Sequence, residues 1–315
     1  MELTGLQLIL TYQCTRECDH CFVWGSPFQR GTMTLEEVKR ILQQATEVGT
    51  IEWVYIGGGE PFLHYPVLLS AIRLAVRKGF RVGLLTNGYW ANGEADCAEW
   101  LGPLAGLIDD LTISSDWYHW ESDLRQHVMH ACAVARDLGI PVGVRSVVYP
   151  GCLEAGDAED SLPVSEYPVM YRGRASSELA PDAPAKPWLS FTSCEHEDLR
   201  DPRRVYVDPL GDVHVCQGIS IGNINKTPLR EICGNYEPDL HPVLGPLLKG
   251  GPVELVLRYG LDHKQHYADA CHACYEARVA LRGRFPEILV PNQMYGVQRD
   301  LDPLGGLNMS AGVKQ

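Results

Sequence analysis

No export signal is expected at the start of the sequence. Met1-Glu2-Leu3-Thr4-Gly5 has neither a basic start nor the apolar run that would follow it. No apolar run approaches the roughly 18 residues of a membrane-spanning helix, so no membrane partner is expected. Positive charge is also scarce, with 27 Lys and Arg against 40 Asp and Glu and a net charge of −13 in 315 residues. No Lys/Arg cluster offsets that balance. Binding to a phosphate backbone rests on basic patches, so no nucleic-acid partner is expected. A glycine–lysine phosphate loop and a dinucleotide fingerprint are missing as well. Cysteine, by contrast, is plentiful at 11 residues. Without an export signal, that points away from disulfides and towards metal ligation, in the cytoplasm.

Three of these residues stand as Cys14-x3-Cys18-x2-Cys21. Iron–sulfur clusters are normally closed by four Cys. Three thiolates would hold three irons of a 4Fe–4S cubane and leave the fourth iron open to another ligand. A zinc site or scattered buried thiols are the plainer readings. The apolar run Leu6 to Leu10 directly before the triple reads as a first strand. A second strand, Glu52 to Ile56, runs into Gly57-Gly58-Gly59-Glu60-Pro61. Glycines there permit positive φ and close backbone approach, although alone the run is only a glycine-rich turn.

Thr34 with Glu37 three residues on is a capping-box pattern, and it opens a helix that Gly49 stops. Further helices are expected at 64–79, 95–107 and about 121–138. Strands are expected at 81–85, 111–114, 140–148 and 167–171. This alternation predicts parallel βα units. Thr86, Asn87, Ser114 and Asp116 fall at strand ends, where polar side chains face a barrel's site; turns or caps would explain them equally. Arg145 lies mid-strand, costly unless paired, and could face inward or outward. His119 belongs to an aromatic cluster, Trp117 to Trp120, and reads as a packed residue. Residues 176–187 read as a linker. Beyond it come a hairpin from Val205 to Cys216 turning at Gly211, a short helix at Leu229–Ile232, and Cys271-x2-Cys274 beside a helix over 275–281. Cys97, Cys132 and Cys152 read as small buried hydrophobes and Cys233 as a free thiol. His263, His266 and His272 are expected on the surface, and the tail from Leu304 is expected to be flexible.

On these motifs the sequence resembles the radical S-adenosylmethionine (SAM) superfamily. The resemblance implies an α/β fold, a partial (β/α)6 TIM-like barrel with a small C-terminal auxiliary-cluster domain. It also implies a 4Fe–4S cluster on Cys14, Cys18 and Cys21 whose open iron takes the amino and carboxylate groups of SAM. One electron then releases a 5′-deoxyadenosyl radical, chemistry that belongs to the cofactor. By the same resemblance Gly58, Gly59 and Glu60 lie at the methionine moiety and His20 beside the adenine. Ser114, Asp116, Thr86 and Asn87 are candidates at the ribose, and Arg145 at the cofactor carboxylate. Gly173-Arg174-Ala175 is similar to an element found after strand six in members with auxiliary clusters; a surface salt bridge is the plainer role for Arg174.

Cys194, Cys216, Cys271 and Cys274 resemble the ligands of a SPASM or twitch domain, which implies one auxiliary 4Fe–4S cluster. Four-thiolate zinc fits the spacing too. The expected organisation is a barrel over 1–175, a linker over 176–188, the auxiliary domain over 189–285 and an extension over 286–315. The implied activity is hydrogen abstraction followed by oxidative modification or cross-linking of a peptide or small molecule, with flavodoxin or ferredoxin as electron donor. The chain starts almost at its first strand, so no peptide-binding domain is expected ahead of it, which keeps a small-molecule substrate in play. Rival readings are an activase for a glycyl-radical partner and a non-catalytic iron–sulfur or zinc carrier or scaffold.

Overall fold

Short apolar strands alternating with amphipathic helices build the first half of the chain. The computed structural model describes residues 1–116, 125–148 and 164–297. Six strands lie side by side and parallel: β1 (Gly5–Thr11), β2 (Trp53–Gly58), β3 (Arg81–Thr86), β4 (Asp110–Ser114), β5 (Val142–Val147) and β6 (Val164–Tyr167). Helices α1 (Leu35–Val48), α2 (Tyr65–Arg77), α3 (Glu94–Leu101) and α4 (Arg125–Asp137) fall between successive strands from β1 to β5. This is the partial (β/α)6 arrangement, and the described strands do not close into a ring.

Local chemistry sets the element ends. Thr34 and Glu37 form the reciprocal capping box of α1, and Gly49 ends the helix at φ 83°. The helix expected to reach residue 107 stops at Leu101, because Pro103 forces the chain into a 3-10 turn. The sixth strand lies at 164–167 rather than 167–171, since Pro168 has no N–H to extend the ladder. One sheet face is apolar: Leu6, Leu8, Leu10, Val54, Ile56, Val82, Leu84, Leu111 and Ile113 are buried with Val38, Ile41, Leu42 and Ala45 of α1. Each buried Leu, Ile or Val side chain there contributes about 1.5–3 kcal/mol.

The second half returns to the same sheet. After α5 (Ala175–Glu178) and the two-residue β7 (Lys186–Pro187), strand β8 (Arg204–Val207) pairs in parallel with β1. β9 (Asp212–Cys216) and β10 (Ile219–Asn223) continue antiparallel, giving the order β10-β9-β8-β1-β2-β3-β4-β5-β6. The expected hairpin is therefore present, with Gly211 at φ 84° in its turn. Then come α6 (Leu229–Gly234), α7 (Leu244–Tyr259), β11 (His266–Tyr267, paired with β7) and α8 (Ala270–Leu281). Helix α7 kinks at Gly250 and Gly251, and a Cβ at Gly251 would lie 2.4 Å from the backbone of Thr192 and Ser193. Helix α8 starts five residues before the sequence-based expectation, so both of its cysteines lie inside it. Cys97, Cys132 and Cys233 are buried apolar thiols. Cys152, the Trp117–Trp120 cluster with His119, and the tail from Leu304 lie outside the described residues.

Candidate active site

β1 delivers Cys14, Cys18 and Cys21 to the C-terminal end of the parallel strands. Their loop closes at its base through Tyr12 N–H to Gly31 O (2.9 Å), Met33 N–H to Leu10 O (2.8 Å) and a 2.8 Å contact between the Thr11 and Thr32 hydroxyls. Within it Cys14 N–H bonds Ser26 O, Cys21 N–H bonds Cys18 O, and Gly25 N–H donates to Cys21 Sγ at 3.2 Å. Burial pushes the Cys14 thiol up to about 12, with Glu60 adding to the rise. Burial also raises Cys18, helped by Cys21 and Cys14 and opposed by Arg174. Buried thiols that disfavour their own anions call for a cation, and metal loading would release their protons. The donor set therefore fits a thiolate-bound metal.

The loop after β2 lies directly on this segment. Gly59 N–H bonds Thr11 O and Glu60 N–H bonds Gln13 O. A Cβ on Gly58 would stand 2.4 Å from Thr11 O, and one on Gly59 would stand 2.1 Å from Gln13 O. The glycines thus admit the chain itself. Glu60 is fully buried and accepts from Phe62 N–H, Asn87 N–H and the Thr86 hydroxyl at 3.0, 2.7 and 2.9 Å. Burial raises its pKa to about 7 against the pull of those donors. It ties the turn after β3 to the loop after β2. Thr86 is further occupied as acceptor for Trp90 Nε1–H and Gly88 N–H. Asn87 Nδ2 reaches Thr15 Oγ1 at 3.0 Å and Cys14 Sγ at 3.5 Å.

From β4, Asp116 is buried, accepts from Val147 N–H at 3.3 Å and lies 4.0 Å from His20 Nε2. His20 and Asp116 are therefore brought together across the cysteine loop. Ser114 stands in register with Arg145 of β5. Arg145 is exposed, its guanidinium 4.6 Å from the Tyr167 ring. Arg174 is buried rather than in a surface salt bridge: its Nη1 and Nη2 donate to Cys18 O (2.7 Å) and Gly25 O (2.8 Å), and its N–H to Cys21 O. Gly173, at φ 64°, allows this, since a Cβ there would lie 2.5 Å from Phe22 Cα.

A second cysteine set lines one cavity: Cys194 from the loop before β8, Cys216 at the end of β9, and Cys271 and Cys274 in the first turns of α8. Two buried arginines, Arg172 and Arg278, line it too. Arg172 Nη1 donates to Cys216 Sγ at 3.1 Å and lies 3.4 Å from Glu197. Burial works against the Arg172 charge, yet its pKa is raised, because Cys216, Cys271 and Glu197 face it. The thiols of Cys216 and Cys271 are raised by burial and drawn down by Arg172. The Nε atoms of Arg172 and Arg278 are buried without a hydrogen-bond partner among the described residues. Two orphaned cationic donors beside four thiols fit an anionic metal–thiolate group.

Among the described residues, one group of three or more His, Cys or carboxylate side chains has all its ligand atoms within 4.8 Å: His196, Asp269 and Cys271. Neither cysteine set is drawn that close. A tetrahedral zinc with Zn–S near 2.3 Å needs sulfurs about 3.8 Å apart. His272 is buried, not on the surface, and bonds Glu276 at 3.0 Å. Arg172 and Arg278 carried no signal in the sequence beyond charge inside apolar surroundings. Tyr12 was equally silent: its hydroxyl donates to buried Asp208 at 2.8 Å, which also meets His214 at 3.3 Å.

A profile of the radical SAM superfamily matches residues 8–154. YydG of Bacillus subtilis (strain 168), named for peptide biosynthesis, is 24% identical over 197 residues, covering 60% of each chain. AlbA of the same organism, an antilisterial bacteriocin subtilosin biosynthesis protein, is 33% identical over 79 residues, 25% of this chain and 17% of that one. The chain spans about three fifths of the length of YydG and less of AlbA. Among solved structures, native anSMEcpe with bound AdoMet is 14% identical, covers 72% of this chain and 79% of that one, and superposes with a TM-score of 0.45.

Proposed function

We propose, for a chain that belongs to the radical SAM superfamily, an enzyme that oxidatively modifies or cross-links a peptide. Cys14, Cys18 and Cys21 would hold the SAM-binding 4Fe–4S cluster, and Cys194, Cys216, Cys271 and Cys274 a second, auxiliary 4Fe–4S cluster. When bound, the first cluster and SAM together supply a 5′-deoxyadenosyl radical that abstracts a substrate hydrogen.

The protein's own part is placement. Arg174 fixes two carbonyls of the cysteine loop, Glu60 fixes the two loops beneath it, and the His20–Asp116 pair borders the same end of the sheet. In this reading Gly58 and Gly59 set the depth at which the methionine moiety lies, and Ser114 with Asp116 faces the ribose. Arg172 and Arg278 counter the charge of four thiolates. A peptide is preferred to a small molecule because YydG and AlbA are both named for peptide products. Residues 189–285 would form the auxiliary unit, and a flavodoxin or ferredoxin would deliver the electron.

The observation that carries the reading is the meeting of the Cys14–Cys21 loop, Gly58–Glu60 and the ends of β3 and β4 at the C-terminal end of the parallel strands. The experiment is anaerobic reconstitution, counting iron, sulfide and zinc per chain and 5′-deoxyadenosine after reduction with SAM. About eight irons are expected, with 5′-deoxyadenosine released by the wild type and none by Cys18→Ala. About four irons plus one zinc would make the C-terminal site structural. Undiminished cleavage by Cys18→Ala would overturn the assignment of the triple.

A further inference from the structure

The sheet face turned away from the apolar core carries groups that none of this chemistry uses. At the N-terminal ends of the strands, Gly5 stands opposite Arg204 and Trp53, and Trp53 opposite Arg81. Their neighbours Val205, Leu6, Val54 and Val82 are buried on the other face, whereas Arg204 and Arg81 are exposed and Trp53 and Tyr55 half-exposed. Six residues of strand separate these ends from the cysteine loop, about 20 Å at the rise of a strand.

The groups there form an aromatic shelf edged by guanidiniums. Trp53 and Tyr55 stack at 5.3 Å, Arg81 lies 4.0 Å over Trp53, and Arg204 lies 5.9 Å from Tyr55 and 5.4 Å from Tyr206. The Tyr55 ring lies against Gly83, where a Cβ would come within 2.3 Å of the ring's edge. Burial and then Asp110 raise the Tyr55 pKa while Arg204, Arg81 and Arg145 pull it down, so three guanidiniums act on one phenol. Arg81 shares its charge with Asp109 at 3.4 Å. Among the described residues Arg145 and Arg204 form no ion pair within 4.0 Å, although acidic residues outnumber basic ones by 40 to 27 in the chain. From Arg204 on β8 to Arg81 on β3 there are three strand spacings, about 14 Å along the sheet, the reach of roughly four residues of extended peptide.

We infer that this face binds an acidic stretch of the peptide substrate, its carboxylates on Arg204 and Arg81 and a flat or apolar side chain on the Trp53–Tyr55 shelf. Guanidiniums suit this because each offers a planar fork to a carboxylate and stacks on aromatic rings. The inference rests on the peptide reading of the function and adds where the peptide lies and what charge it carries there.

The test is fluorescence anisotropy of a labelled glutamate-rich oligopeptide and its glutamine counterpart with the reconstituted protein. The acidic peptide is expected to bind at least about tenfold more tightly, and that preference to vanish in R81Q/R204Q and persist in R81K/R204K. Equal binding of both peptides, or an unchanged preference in R81Q/R204Q, would overturn the inference. Should R81Q/R204Q not fold by circular dichroism, a salt titration of the wild type decides. Affinity for the acidic peptide should fall as salt rises, and a flat response would sink the idea. Failure of the wild type to release 5′-deoxyadenosine would strike the proposed reaction instead, and the anisotropy result would stand apart from it.

Discussion

Glu60 is a carboxyl group with no access to solvent and three donors around it. Its pKa, raised to about 7 from 4.5, means that the folded chain holds this proton more tightly than the unfolded one. The stability linked to that proton is fully present below about pH 4.5 and is lost as the pH rises through about 7, at most roughly 3 kcal/mol. Denaturant titrations of the cluster-free protein across that window should show the loss in the wild type and lack it in Glu60→Gln. The neighbouring Gly59→Ala should be more damaging: a Cβ 2.1 Å from Gln13 O must push the two loops apart. Iron bound per chain is the readout, expected to fall severalfold. Glycine spacing was legible in the sequence, as were the thiols, because both recur at short range. Glu60's partners were not, since Thr86 and Asn87 come from another strand 26 and 27 residues away.

The segment Arg172-Gly173-Arg174 links the two cysteine sets within three residues. Arg174 grips the first loop by two carbonyls, and Arg172 reaches the Cys216 sulfur. Arg174→Gln should speed iron loss to a chelator, with Arg174→Lys restoring little, because one ammonium cannot replace the fork. Arg172→Gln should lower the reduction potential of the proposed auxiliary centre by on the order of tens of millivolts, since net charge and hydrogen bonds to sulfur set it; a redox titration followed by electron paramagnetic resonance checks this. Legibility varied by element. The capping box of α1 was plain in the sequence, whereas α7 was invisible, because Gly245, Pro246, Gly250, Gly251 and Pro252 all speak against a helix. Packing of its kink against Thr192 and Ser193 overrides that propensity. The early start of α8 was missed because its N-cap, Asp269, whose side chain accepts from His272 N–H, precedes two cysteines already read as ligands.

At the scale of the molecule, a single sheet runs through both halves. Parallel βα order was readable from the alternation of strands and helices. The return of β8 to the edge of β1 was not, since no local pattern reports a pairing so distant. Removing residues 189–297 would uncover the whole edge of β1 and leave Tyr12 without Asp208. A chain ending at residue 188 is therefore expected to aggregate or elute as a soluble oligomer in size-exclusion chromatography; a stable, cooperatively melting monomer would show that the first half is self-sufficient. The same pairing has a consequence during synthesis. Thr4 meets Arg203 across 199 residues, and at about 5–20 residues per second a ribosome needs roughly ten to forty seconds to bridge that interval. Through that wait the first three thiols have left the exit tunnel while the strand that completes their support has yet to be made. Support for the first cysteine loop is thus complete only once Arg204–Val207 has emerged.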